Sequence, residues 1–200
     1  MERSLQISAI VLAAGRSSRM QEFKLGMSFQ NHTILEEVLQ NVRAAQPAEI
    51  VVVTGHYQSA TLDIVKRYPD VRTVHNPHYA TGMSSSIRAG LLQSNPFAEG
   101  ILVCLSDMPL IPPTVYQTLV EQFCTGSTDP QIIRPSFRGK PGNPVLFSAH
   151  FREDLLQLAY PEGARELVKA NREKVRLVEV GTPGIFQDID TPDQYAQWAQ

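Results

Sequence analysis

Three cationic side chains lie close together directly after a short apolar run. Arg16, Arg19 and Lys24 follow the segment Ile7–Ala13. Gly15 stands where this run ends and can turn the chain at little steric cost. Backbone N–H groups exposed at such a turn, together with forked arginine donors, suit the oxygens of a polyphosphate. The segment is therefore a candidate triphosphate-binding loop.

The segment lacks the glycine pattern of the two common phosphate-binding loops. A P-loop requires GxxxxGK[ST] and a dinucleotide-binding loop requires GxGxxG, but Gly15 is the only glycine between Ile7 and Lys24. The absence of the GxGxxG pattern argues against a dinucleotide oxidoreductase. From the residue types alone, a strand followed by a solvated basic loop is the favoured interpretation.

Acidic residues occur at two further places where chemistry is expected. Asp107 directly ends an apolar run, and a carboxylate there rarely serves packing because its charge needs a partner. A turn acid that bonds its own backbone remains the alternative. Asp188 and Asp190 form a second acidic pair, although Asp190-Thr191-Pro192 is also a typical helix start.

The elements that must position these residues alternate in type along the first part of the chain. Short apolar runs predict buried strands, and apolar residues at helical spacing predict the helices between them. The pattern indicates a three-layer α/β/α Rossmann-like domain with a mostly parallel sheet. Strands are predicted at Ile7–Ala13, Glu49–Thr54, Val71–His75 and Gly100–Ser106, and helices at Thr33–Ala45, Thr61–Arg67, Met83–Gln93 and Pro112–Phe123.

The pattern changes after residue 131, but the predicted elements still fit the same sheet. Short strands are predicted at 132–133, 145–147 and 175–180, with a connecting segment at 134–144 that is rich in proline, glycine and basic residues. Helices are predicted near 152–158, 163–171 and 192–200. No linker or repeat interrupts the chain. Residues 1–200 are therefore expected to form a single domain.

The candidate residues converge on one edge of the predicted sheet. In an open parallel sheet, ligands bind outside the carboxyl ends of the strands. The Gly15 loop, the helix start at Gly82–Ser86 and Asp107 all follow predicted strands. The sequence therefore predicts a binding site at this edge.

Bulk composition excludes several classes of function. The 200 residues carry a net charge of −2, which gives no electrostatic reason to expect nucleic acid or an anionic membrane as a partner. The two cysteines and the absence of CxxC give no sign of a disulfide scaffold or structural zinc site. Neither an apolar leader nor a membrane-length apolar stretch is present, which predicts a cytoplasmic protein.

The segment LAAGRSSRM followed by Lys24 resembles the signature L-A-[AG]-G-x-S-x-R-M-G-x-x-K of MobA-like nucleotidyltransferases. Within that family it is most similar to the molybdenum cofactor cytidylyltransferase branch. Gln21 stands where the signature has glycine. Other blocks match in the family's order, and they are Asn76-Pro77, Gly82–Leu91, SDMP around Asp107, Gly142–Phe147, Gly163–Arg165 and Asp188–Tyr195.

The resemblance implies a fold of the nucleotide-diphospho-sugar transferase type and Mg²⁺-dependent transfer of a nucleoside monophosphate from an NTP. It implies that Asp107 is the principal metal ligand and Asp190 the second, with Asp188 a weaker candidate. Arg16 and Lys24 are implied, with Asp107, as catalytic residues. Nucleotide contacts are implied for Leu12, Ala13, Ala14, Gly15, Arg19, Gly82, Met83 and Ser84, and acceptor contacts for Asn143 and Arg165.

The nucleotide and the acceptor that the resemblance implies depend on differences at a few positions between branches of the family. Ala14 matches the cytidylyl branch, whereas the guanylyl branch tends to have glycine there, so CTP is expected and GTP is the alternative. The implied acceptor is molybdopterin, with a molybdoenzyme as a further candidate partner. Gly142-Asn143-Pro144 replaces the family's G-H-P block, which keeps a sugar or polyol phosphate open as the acceptor.

A further interpretation is a non-catalytic accessory protein that binds a cofactor and delivers it. The intact pair Asp107 and Asp190 argues against this alternative, because a binding protein needs neither. The histidines are expected to be ordinary loop or strand-end residues without a chemical role. They are His32, His56, His75, His78 and His150.

Overall fold

The computed structural model describes residues 6–20, 22–125, 131–159 and 163–199. Its main sheet contains β1 (Ile7–Ala13), β4 (Glu49–Thr54), β5 (Val71–His75), β6 (Gly100–Leu105), β7 (Ile132–Phe137), β8 (Lys140–Pro141), β9 (Val145–Ser148) and β10 (Val175–Glu179). A separate small hairpin is formed by β2 (Ser28–Phe29) and β3 (His32–Thr33).

The order of the strands brings the predicted loops to one edge. The sheet runs β10-β7-β9-β6-β1-β4-β5, with β8 paired to β7. Strand β1 lies in parallel between β4 and β6, and β5 continues the parallel arrangement beyond β4. Strand β9 is antiparallel to both of its neighbours. The carboxyl ends of β1, β4, β5 and β6 therefore meet at the same edge.

Helices cover both faces of this sheet and confirm the three-layer arrangement. Alternate residues of β1 face opposite sides, so that Val11 belongs to one buried apolar cluster and Ile10 to the other. The helices are α1 (Ile34–Arg43), α2 (Gln58–Val65), α3 (Met83–Gln93), α4 (Pro113–Cys124), α5 (Arg152–Leu156), α6 (Arg165–Ala170) and α7 (Pro192–Trp198). Among the described helices, none has both the length and the apolar character to cross a membrane.

Helix α1 begins where the sequence predicts it, whereas helix α2 begins earlier than predicted. Thr33, where the sequence predicts this helix to start, caps α1 in a capping box with Glu36. Helix α2 begins at Gln58, three residues before the predicted start at Thr61. Its first turn consists of polar and small residues, so the apolar spacing from which the helix was predicted misses it.

The predicted connection at 134–144 is partly wrong, because strand β7 continues through it to Phe137. Pro135 is part of the composition from which the connection was predicted, and proline cannot donate a ladder hydrogen bond. Pro135 lies between Ile133, the last residue of β7 that pairs with β9, and Ser136, the first residue of β7 that pairs with β8. On this side of β7 neither β8 nor β9 pairs with residue 135, so a proline is tolerated there.

Candidate active site

A cleft of about 510 Å³ opens at the carboxyl edge of the parallel strands. Its walls come from the loop after β1, the start of α3, the end of β6 and the segment that precedes α7. The cleft is lined by Leu12, Ala14, Gly15, Ser17, Ser18, Arg19, Lys24, Leu25, Tyr79, Gly82, Met83, Ser86, Leu105, Ser106, Asp107, Asp188 and Asp190. The edge predicted from the sequence is thus the edge that carries the cleft.

Lys24 bridges two carboxylates at the floor of this cleft. Its Nζ lies 2.7 Å from Asp107 Oδ2 and 2.7 Å from Asp190 Oδ1, and the lysine side chain is only 10% exposed. Burial acts to lower the pKa of Lys24, but the two carboxylates outweigh it and hold the pKa above its ordinary value. Lys24 is therefore a charged ammonium at neutral pH.

A backbone hydrogen bond joins the segment at 188–190 to Asp107. The Ile189 N–H donates to the Asp107 carbonyl at 2.9 Å, which sets Asp190 beside Asp107. Thr191 and Gln194 form a capping box at the start of α7, and Gln194 Oε1 also accepts from the Asp190 N–H. The helix start predicted at Asp190-Thr191-Pro192 is therefore real, with Thr191 as its cap. The carboxylate of Asp190 is left to face Lys24.

Asp188 adds a third carboxylate to the lining of the cleft. Burial, followed by the negative charges of Asp190 and Asp107, raises the pKa of Asp188. A positive charge brought near these three carboxylates is therefore favoured. Lys24 supplies one such charge, and Arg19 supplies another through Nη1, which lies 2.8 Å from Asp190 Oδ2.

The glycine loop after β1 packs closely against its neighbouring strands. Ser106 Oγ donates to the Leu12 carbonyl at 2.7 Å, and the His56 N–H donates to the Ala14 carbonyl at 3.3 Å. A Cβ added at Gly55 would lie 2.5 Å from the Ala14 oxygen, so only glycine fits there. These contacts fix the end of β1 at the rim of the cleft.

The opposite wall of the cleft is the start of α3. Gly82 has φ of +118°, a conformation that glycine adopts readily, and it leads directly into Met83. Asn76 ties this wall to the end of β5, because its Nδ2 donates to Ser85 Oγ at 2.8 Å and to Ser86 Oγ at 3.0 Å. The Asn76-Pro77 and Gly82–Leu91 blocks of the sequence thus form one wall.

Most, but not all, of the predicted site residues line the cleft. Ala13 and Ser84 are buried beside it, and Arg16 is exposed at its rim. The acceptor candidates Asn143 and Arg165 also lie outside the lining. Asn143 Nδ2 lies 3.7 Å from the sulfur of Met108, and Arg165 begins α6 two residues after Gly163, which packs against Met83. Asn143 and Arg165 therefore lie close to the cleft but do not line it. Gln21 lies outside the described residues.

Sequence reasoning missed several lining residues. Ser17 and Ser18 belong to the signature segment and Ser106 to the SDMP block, but the sequence assigned none of them a contact, whereas Ser86 lies in the helix start at Gly82–Ser86 that was predicted at the site. Tyr79 gave no signal, because an aromatic residue in a turn-rich stretch has no defined periodicity. The spacing of the Asn76-Pro77 block from Gly82 could have drawn attention to it.

The carboxylates suit a hard divalent cation held together with a phosphate. Within the described ranges, no group of three or more His, Cys, Asp and Glu residues could by itself enclose a metal ion. Mg²⁺ does not require such a cage, since it is typically bound by one or two carboxylates together with phosphate oxygens and water. Asp107 and Asp190 reach the same nitrogen, so their nearest oxygens are no farther apart than two hydrogen-bond lengths. The donor set fits Mg²⁺ on these grounds.

Comparison with known proteins agrees with the fold. A family model described as "MobA-like NTP transferase domain" matches residues 9–175. The chain is 26% identical over 189 residues to molybdenum cofactor cytidylyltransferase of Escherichia coli K12, covering 94% of this chain and 93% of that protein. It is 35% identical over 119 residues to a probable molybdenum cofactor guanylyltransferase of Methanosarcina mazei, covering 58% of this chain and 52% of that protein.

A solved structure shows the same similarity in three dimensions. Rv0371c of Mycobacterium tuberculosis H37Rv superimposes with a TM-score of 0.84 at 26% identity, covering 98% of each chain. The same protein has also been solved as a complex with manganese. The family model and these similar proteins thus define a nucleotidyltransferase with the Rossmann-like fold of the nucleotide-diphospho-sugar transferases. The chain belongs to the MobA-like NTP transferase family.

Proposed function

We propose that this protein transfers CMP from CTP to the phosphate of molybdopterin, with Mg²⁺ as cofactor and with residues 1–200 acting as one domain in the cytoplasm. The observation that carries the proposal is the Lys24 bridge between Asp107 and Asp190, set at the foot of a glycine loop. The similarity to a cytidylyltransferase over nearly the whole chain supports CTP and molybdopterin. A molybdoenzyme partner stays a prediction from the sequence.

The reaction requires positioning and charge neutralisation more than covalent help. An oxygen of the acceptor phosphate attacks the α-phosphorus of CTP, a new P–O bond forms, and the bond to the β-phosphate breaks to release pyrophosphate. The attacking oxygen is already anionic, so no histidine is needed as a base. Asp107 and Asp190 would hold Mg²⁺, which would supply charge neutralisation at the phosphate groups.

The cations of the glycine loop serve the leaving group in this proposal. Lys24 lies at the floor of the cleft and donates to the pyrophosphate oxygens as their charge grows. Open space lies beside Gly15, where a Cβ would meet no neighbouring atom within 4 Å, and this leaves room for a triphosphate to approach the backbone. Gly82, Met83 and Ser84 hold the base and the ribose at the opposite wall. Asn143 and Arg165 are proposed for the acceptor.

A guanylyltransferase is the second candidate. The relative from Methanosarcina mazei has the higher identity, although over a shorter segment. Against it stands Ala14, which lines the cleft and matches the cytidylyl branch, whereas the guanylyl branch tends to have glycine at this position.

Calorimetric titration with CTP and with GTP, each with and without Mg²⁺, tests the proposal. We expect CTP to bind more tightly than GTP, and Mg²⁺ to strengthen the binding. A preference for GTP would replace the cytidylyl proposal with the guanylyl one. Failure to bind either nucleotide would reject both.

A further inference from the structure

The three cations of the glycine loop are held in two different ways. Lys24 and Arg19 both form ion pairs with carboxylates of the cleft. Arg16 pairs with no carboxylate among the described residues, and its guanidinium carbon lies 5.5 Å from the centre of the Tyr79 ring. This geometry is that of a cation–π contact.

The two kinds of partner have different consequences for an incoming anion. A carboxylate neutralises an arginine and competes with phosphate for its donors. An aromatic ring attracts the cation through its quadrupole but carries no net charge and takes up none of the forked N–H donors in bidentate bonding. Arg16 is therefore fixed in place while its charge and its donors stay free for a ligand.

Tyr79 is itself held on more than one side. Its hydroxyl lies 3.1 Å from His56 Nδ1, and the two rings meet edge to face with centres 5.8 Å apart. His56 is held in turn by its backbone N–H, which donates to the Ala14 carbonyl in the glycine loop. The Tyr79 N–H donates to the Asn76 carbonyl at 3.3 Å. The ring is thus tied to both walls of the cleft.

We propose that Tyr79 is a positioning residue for Arg16: its ring holds the guanidinium un-neutralised at the rim of the cleft, aimed at the triphosphate of the nucleotide. The proposal rests on the proposed nucleotidyl transfer and adds a residue that the signature segment does not contain. It predicts that Tyr79 affects the binding of phosphate groups rather than that of the nucleoside.

Calorimetry with CTP and with CMP, in the presence of Mg²⁺, separates these two effects. We expect Tyr79→Ala to weaken CTP binding by about two- to five-fold, the size of an exposed cation–π contact, and to change CMP binding much less. Tyr79→Phe keeps the ring and should restore the ratio of the two affinities. Adding Tyr79→Ala to Arg16→Gln should weaken CTP binding no further than Arg16→Gln alone.

A matched control is available at the opposite edge of the sheet. Tyr68 is also half-buried, and the Arg43 guanidinium lies 5.6 Å from its ring centre, but it does not line the cleft. Tyr68→Ala should leave the ratio of CTP to CMP affinity unchanged.

Three results would overturn the inference while leaving the proposed function intact. Equal weakening of CTP and CMP by Tyr79→Ala would show that the ring contacts the nucleoside. No effect of Tyr79→Ala, or additive effects of Tyr79→Ala and Arg16→Gln, would show that the ring does not act through Arg16. If the wild-type protein binds neither CTP nor GTP, the proposed function fails, and the inference fails with it.

Discussion

Lys24 and Asp107 form a partly buried ion pair at 2.7 Å across 83 positions of the chain, and the same ammonium reaches Asp190 at 2.7 Å. The pair joins the loop after β1 to the end of β6. A divalent cation held by Asp107 and Asp190 would meet the same carboxylate oxygens as the lysine. Lys24 and a metal ion therefore compete for this site unless a phosphate draws the lysine away.

Replacing Lys24 by glutamine should raise the affinity for Mn²⁺ measured without nucleotide by about ten-fold, since a charge pair near the surface is worth on the order of 1–4 kcal/mol. The same variant should bind CTP more weakly, because it loses a phosphate donor. Electron paramagnetic resonance of free Mn²⁺ measures the first effect. Lys140→Gln, which changes an exposed lysine on β8, is the control. Weaker Mn²⁺ binding by Lys24→Gln would contradict the competition.

Replacing Asp190 by asparagine should lower Mn²⁺ affinity by at least about ten-fold, since the loss of even an outer partner of a metal ligand typically costs about 10–100-fold. The fold should persist, because Thr191 and not Asp190 caps α7. Asp193→Asn, in the first turn of the same helix, should leave Mn²⁺ affinity unchanged. Equal effects of the two substitutions would count against Asp190 as a ligand.

Gly184 packs closely against the backbone of Leu110. A Cβ at this position would lie 2.2 Å from the Leu110 carbonyl oxygen, so we expect Gly184→Ala to shift the chain that leads to residues 188–190 and to move Asp190 relative to Asp107. We expect a loss of about 1–3 kcal/mol in unfolding free energy, as for overpacking, together with weaker Mn²⁺ binding. Denaturant unfolding and metal titration measure these effects.

Gly181→Ala is the matched control for Gly184→Ala, because a Cβ at Gly181 would meet nothing within 4 Å. It should change neither stability nor metal binding by a comparable amount. If Gly181→Ala and Gly184→Ala behave alike, close packing at Gly184 does not position the acidic segment.

Glu179 should make stability depend on acidic pH. The Ser136 hydroxyl, followed by the Arg138 N–H, holds the pKa of Glu179 below its ordinary value. A lowered pKa in the folded state contributes stability that is present above the unfolded pKa and is lost as pH falls through the folded pKa. Glu179→Gln should therefore lower the melting temperature at pH 7, and the difference should shrink as the pH falls below the ordinary glutamate pKa of about 4.3. A difference that grows as the pH is lowered from 7 would contradict this.

The sequence was sufficient to predict the parallel half of the fold. Buried parallel strands appear as continuous apolar runs, and the predicted bounds of β1, β4 and β5 coincide with the structure. The antiparallel part was harder, because Pro135 concealed the length of β7. Pro135 is tolerated in β7 because of how β8 and β9 pair with this strand, and local sequence does not reveal that pairing.

The site was predictable as a set of segments but not as a set of contacts. Strand order places Gly15, Gly82 and Asp107 at one edge, and the sequence predicts this through the rule for parallel sheets. That Lys24 lies between Asp107 and Asp190 depends on the Ile189 to Asp107 backbone bond, which brings together residues far apart in the chain. The Arg16 and Tyr79 contact has the same origin, since it depends on how two loops pack.

The most direct test of the central claim is an assay of the complete reaction. Wild-type protein and Asp107→Asn are incubated with Mg²⁺, molybdopterin and either CTP or GTP, and pyrophosphate and the nucleotidylated pterin are quantified by mass spectrometry. We predict that the wild type forms equal amounts of pyrophosphate and cytidylylated product from CTP, and that Asp107→Asn loses at least about a hundred-fold in rate while keeping its circular dichroism spectrum. Undiminished transfer by Asp107→Asn, or no transfer by the wild type from either nucleotide, would contradict the account.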